Sequence, residues 1–97
     1  MKKEREIIGQ IKAYLKTLDN CFCFKTHGGF YGTAGIPDII ACVNGAFVAF
    51  EVKAEKGKTT VLQEVCLKKI REAGGAAVVV RSVQEVQAVI EKLGGGR

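Results

Sequence analysis

The sequence predicts an α/β domain with helices packed on a sheet, and three observations predict it. Apolar residues recur at three- and four-residue steps from Lys3 to Leu18, the mark of a helix with one buried face. Two β-rich runs, Ile39 to Val43 and Ala46 to Ala54, are joined by Asn44-Gly45, a dipeptide suited to a type I′ hairpin turn because both central positions need positive φ. Beyond them, helical and strand patterns alternate. At 97 residues and 47% hydrophobic content, the chain is expected to be one domain over 1–97, long enough for one core and too short for two.

In the first helix Ile7, Ile8, Ile11, Leu15 and Leu18 form the buried stripe. Cys21 to Lys25 alternates cysteine with phenylalanine and reads as a short strand; Thr26 to Pro37 is then a glycine-rich loop holding the only histidine and the only proline. The hairpin strands should pair antiparallel. In the second, Val48, Phe50 and Val52 make one apolar face while Phe47 and Ala49 make the other apolar too, which predicts a central strand covered on both sides. Thr60 and Gln63 form a capping-box pattern opening a helix that runs to about Ala73, with Leu62, Val65, Cys66 and Ile70 inward and Gly74-Gly75 as its stop. Ala76 to Arg81 is an apolar strand. Ser82 and Glu85 repeat the capping pattern for a last helix with Val86, Val89, Ile90 and Leu93 inward, and residues 94–97 read as a flexible glycine-rich tail.

Fifteen lysines and arginines against ten acids give a net charge of +5, which favours polyanionic partners such as nucleic acid. The start of the chain is polar where a secretory signal needs an apolar run, and nothing approaches the roughly 20 apolar residues of a membrane span. A cytoplasmic protein without membrane contact is expected. Cys21, Cys23, Cys42 and Cys66 match no zinc spacing and lie in apolar stretches, so reduced core thiols are the expectation.

A two-residue turn at Asn44-Gly45 sets Val43 opposite Ala46, and counting back along both strands sets Asp38 opposite Glu51. Two carboxylates in that relation repel unless a proton or a cation lies between them. Hard oxygen ligands suit magnesium or manganese. Lys53, two residues after Glu51, shares its face of the strand, and a cation beside paired acids suits phosphodiester chemistry. On helix one, at about 100° per residue, Glu4 falls within the arc of Ile8, Ile11 and Leu15, whereas Glu6 points away. Glu4 is therefore expected to face inward and to need a partner. Plainer readings stand beside these: Asp38 as a turn residue after Pro37, Glu51 and Lys53 as a surface ion pair, and Glu4 as an acid favoured by the positive end of its helix.

Gly35-Ile36-Pro37-Asp38, then Glu51-Val52-Lys53, then Gly57 and Gln63, in this order, resemble the VRR-NUC branch of the PD-(D/E)XK nucleases. The resemblance implies an αβββαβ core with a central mixed sheet flanked by helices. It also implies magnesium-dependent hydrolysis of DNA phosphodiesters, with manganese substituting, to leave 5′-phosphate and 3′-hydroxyl ends. On these residues it makes Asp38 and Glu51 metal-binding acids, the Val52 carbonyl a further ligand and Lys53 the catalytic lysine. Glu4 matches the helix-one acid that lies ten residues before Tyr14-Leu15. Gln63 is similar to a glutamine that touches metal-bound water or phosphate, a role compatible with its capping pattern.

Lys25 and His27 beside the glycine-rich loop, and Lys56 and Lys58 around Gly57, are candidate phosphate contacts; a solvated loop is the plainer reading for the first two. No base-reading helix is evident, so shape and backbone contacts would select a branched junction or flap. The expected partner is such a DNA, cut by a homodimer of phage or bacterial origin that meets through the strand Ala76 to Arg81 or through Phe30 and Tyr31. The alternatives are a restriction-type or general DNA endonuclease, a catalytically weak nucleic-acid-binding module of the same fold, or a small domain that binds a protein partner.

Overall fold

The structure, a computed structural model, describes residues 1–27 and 34–94. The order of elements is α1 (Glu4–Leu15), β1 (Cys21–Lys25), β2 (Ile39–Val43), β3 (Ala46–Val52), α2 (Val61–Glu72), β4 (Ala76–Val80) and α3 (Val83–Lys92). Four strands form one mixed sheet in the order β1-β2-β3-β4, antiparallel across the first two pairings and parallel across the last. The central position expected for β3 is observed. Phe30 and Tyr31, the middle of the glycine-rich loop and the last three tail residues lie outside the described residues.

Asn44 and Gly45 both adopt positive φ, 51° and 83°, and Val43 pairs with Ala46. The register follows from that turn. One face of the sheet is closed by α1 and α3: Ile7, Ile8, Ile11 and Leu15 from α1 and Val86 and Ile90 from α3 pack on Ile39, Ala41, Val43, Val48, Phe50, Val52 and Val80. Both apolar stripes lie where their periodicity puts them, with Leu18, Val89 and Leu93 half-buried at the margin. Helix α1 ends at Leu15 rather than Leu18, because Thr17 and Leu18 turn back onto the carbonyls of Tyr14 and Leu15 in tighter bonds.

The other face departs from expectation. Only Leu67 of α2 is fully buried, against Ala49 of β3 and Ala77 of β4. Leu62 and Val65 are exposed, and Cys66 and Ile70 half-buried. Helix α2 rests on the β3–β4 side of the sheet and presents a line of residues neighbouring the expected stripe. Cys42 departs from the expectation of core thiols in the same way: it is exposed on this face, while Cys21, Cys23 and Cys66 are half-buried and all four are free.

Candidate functional site

Asp38 precedes β2 and Glu51 lies near the end of β3, and the pairing of Ile39 with Phe50 carries the register to the opposition expected. Three contacts hold Asp38 there. Its Oδ2 accepts from the backbone N–H of Val52 at 2.8 Å. Thr26 donates its N–H to the Asp38 carbonyl at 2.8 Å and its hydroxyl to the Pro37 carbonyl at 2.7 Å. Gly35, at φ +76°, lies so near the first turn of α2 that a Cβ would come within 2.3 Å of the Leu62 carbonyl oxygen, so no other residue fits that contact. The segment from Gly35 to Asp38 is thereby fixed between β1 and the start of α2.

Glu51 is buried, and its Oε1 has no hydrogen-bond partner among the described residues. Burial, and then the hydrogen bond and charge of Asp38, push its carboxyl up to about 8, against a smaller downward pull from Lys53. Lys53 is itself buried, with Nζ 3.5 Å from Glu51 Oε2, and its backbone N–H extends the parallel ladder to the Val80 carbonyl at 3.0 Å. A surface ion pair is therefore not the right description of Glu51 and Lys53. A buried carboxylate with one oxygen lacking a donor, crowded by a second acid, takes up either a proton or a cation. Among the described residues no three His, Cys, Asp or Glu side chains converge, so the donor set is a carboxylate pair. That set suits magnesium, which holds one or two carboxylates and keeps its other positions for water and phosphate.

Glu4 is exposed rather than inward. Its Oε2 accepts from the backbone N–H of Ala54 at 3.4 Å and lies 3.2 Å from where a Cβ on Gly57 would stand. It thus meets the segment that follows β3, and among the described residues no hydrogen bond joins it to the acid pair. Gln63 forms the capping box of α2: its N–H donates to Thr60 Oγ1 at 3.1 Å and its Oε1 accepts from the Thr60 N–H at 2.9 Å. That use of the carbonyl oxygen leaves the amide NH₂ for other work. Lys25 Nζ donates to the Thr26 carbonyl at 3.2 Å, while His27, Lys56 and Lys58 are exposed around this end of the sheet. Val52 meets Asp38 through its N–H.

Arg81 was missed by sequence reasoning. Its Nη1 donates to three carbonyls of the turn after β3, those of Ala54 at 2.6 Å, Glu55 at 3.3 Å and Gly57 at 2.8 Å. Glu4 therefore holds the N–H of Ala54 while Arg81 holds its carbonyl. The only sequence signal was a cation closing an apolar strand. Thr26 gave no signal either, because its function lies in backbone bonds across the sheet.

No family model and no curated protein matches the sequence. Solved structures do. One named "VRR_NUC domain" is 26% identical with a TM-score of 0.77, and the match covers 94% of this chain and 97% of that one. Another, named "VRR_NUC domain protein", is 19% identical with a TM-score of 0.74 over 95% of this chain and 88% of that one, a likeness of fold. The fold and its likeness to these domains support an α/β domain of nuclease type. Within that class the chain is similar to the VRR-NUC domains, as the order of its motif residues implied.

Proposed function

We propose that this chain is a magnesium-dependent DNA endonuclease, with manganese as a substitute, that selects branched or flapped DNA by shape and works as a homodimer. The observation that carries the metal-dependent chemistry is the buried, donorless Glu51 Oε1 beside Asp38. Asp38, Glu51 and the Val52 carbonyl would hold the ion, which when bound polarises a phosphoryl oxygen and activates water for attack. Lys53 supplies a fixed positive charge at the same face, where negative charge grows on the phosphoryl oxygens in the transition state. Because it is buried and anchored through the β4 ladder, little reorganisation is needed at that moment.

Gln63 offers its free amide NH₂ to a phosphate oxygen or to water. Lys25, His27, Lys56 and Lys58 contact flanking phosphates, a sequence-independent hold consistent with the net charge of +5. Two cuts, one per strand of a junction, call for two such sites and hence a dimer.

The test is cleavage of supercoiled plasmid, a flap and a four-way junction, with and without magnesium. Magnesium-dependent cutting with preference for the branched substrates is expected, along with its loss in Asp38→Ala. Cleavage in excess chelator would remove the metal from the proposal, and equal cutting of linear duplex and junction would remove the selectivity.

A further inference from the structure

The pairings place Phe22, Cys42 and Phe47 in one row across β1, β2 and β3, and Phe24, Ile40 and Ala49 in the next. Both rows lie on the α2 side of the sheet. Helix α2 covers Ala49 but no described residue covers the β1 end: Phe22 is 71% exposed, Phe24 48%, Phe47 45%, and Leu62 on the flank of α2 57%. At about 200 Å² for a large side chain, these four show water roughly 400 Å² of apolar surface, within the range of the largest patches on monomers, which often mark an interaction site. Such a patch makes up about half of the roughly 800 Å² per partner of a standard interface, whose remainder is a polar rim.

We propose that this open face is where a second copy of the chain docks, which gives the homodimer reading above its surface and rests on it. Phe22 projects from the edge strand, its ring 6.1 Å from that of Phe24. On the same face, Phe47, Ile70, Ala73 and Gly75 line an apolar recess of about 250 Å³. A projecting aromatic ring and an apolar recess on one face satisfy each other reciprocally across a two-fold axis, which is what an isologous interface requires. The patch rows contain no charged side chain, so they offer nothing to the phosphates of a polyanion. Strand β4 is a poorer surface, because Arg71 Nε already donates to its Ala77 carbonyl at 2.8 Å.

Sedimentation of the full chain without DNA or metal tests the surface apart from the chemistry. Wild type is expected to be dimeric at micromolar concentration, Phe22→Ser and Ala73→Glu monomeric with unchanged circular dichroism, and Phe22→Leu still dimeric. Cys42, at the centre of the patch, is the one exposed cysteine. Its maleimide labelling should be slow in the dimer and at least tenfold faster in the Phe22→Ser monomer. A wild type that stays monomeric overturns the proposal, whether Cys42 labels fast or slowly. A dimer that survives both Phe22→Ser and Ala73→Glu does so too, as does a monomeric wild type whose DNA affinity falls in Phe22→Ser. Failure of the nuclease reading looks different: a dimer that obeys these substitutions yet cuts no DNA.

Discussion

On one face of the sheet α1 and α3 close over Val48, Phe50 and Val52 with interlocking aliphatic side chains, and no charged group is buried among them. On the other face, α2 covers little more than Ala49 and Ala77, the polar pair Glu51 and Lys53 is buried, and phenylalanines stand in water. The first face repeats what any small α/β domain needs to fold. The second retains a buried acid with one oxygen unpartnered among the described residues and an apolar patch with no described cover, two features that cost stability in an isolated chain. The contrast places stability on one face and, on the function proposed above, the chemistry on the other.

The sharpest way to break that division is substitution on each face. Asp38→Ala and Glu51→Ala should each lower cleavage by about a thousandfold or more, with a melting temperature that does not fall for Glu51→Ala. Phe50→Ala, on the closed face, should instead cost about 3–5 kcal/mol of stability, read by urea unfolding. If Glu51→Ala unfolded the chain and Phe50→Ala were tolerated, the roles of the two faces would be reversed.

A pH series sharpens the same contrast. The folded chain holds the Glu51 proton up to about 8, whereas the unfolded chain releases it near the ordinary value of 4.5. Between those values the folded state binds more protons, so metal-free stability from this group falls as pH rises through the window and levels above about 8. Glu51→Gln should flatten that dependence and stabilise the protein by about 1–3 kcal/mol at the alkaline end. A divalent ion competes with the same proton, so magnesium affinity should rise with pH up to about 8, with close to one proton released per ion below it. Calorimetry in buffers of different ionisation enthalpy measures that release; none at neutral pH would mean that Glu51 is already ionised.

How far the sequence revealed all this follows the same division. The closed face was legible because its signals are local: the three-and-four spacing of Ile7, Ile11 and Leu15, the alternation of Val48, Phe50 and Val52, and the Asn44-Gly45 turn that set the register. That register also carried Asp38 opposite Glu51. The rest depends on where elements lie relative to one another. Periodicity identified α2 as a helix but did not say which strands it would cover, so Leu67 was missed and Leu62 and Val65 were expected inward. Arg81 and Thr26 act through backbone carbonyls that no residue pattern encodes.

Removing the Arg81 guanidinium tests whether the turn after β3 belongs to the site or only to the fold. Arg81→Ala releases three carbonyls at once and should cost about 1–3 kcal/mol. Cleavage should slow by about tenfold through kcat, because Lys53 and the neighbouring lysines lose the support of the turn, with KM little changed. Arg81→Lys should recover only part of either loss, since a flexible lysine ammonium lacks the rigid planar guanidinium that holds Nη1 among the three carbonyls. A rise in KM alone would make Arg81 a phosphate contact.

The smallest effect separates two acids on one helix. Glu4 reaches the Ala54 N–H at 3.4 Å, a long bond to an exposed side chain, so its contribution to stability is expected to be slight. Glu6 makes no side-chain hydrogen bond among the described residues and shares only the favourable position in the first turn. Glu4→Gln keeps an acceptor and removes the charge, and it should reduce cleavage several-fold at saturating DNA with no change in melting; Glu6→Gln should leave both unchanged. The comparison is informative because both variants remove one negative charge from the same end of α1, which cancels any general effect on DNA attraction. A loss confined to Glu4→Gln would then report its charge beside the Ala54–Gly57 turn. Equal losses would mean that the end of the helix acts only as a patch of charge, and that the functional face stops at the strand end without reaching α1.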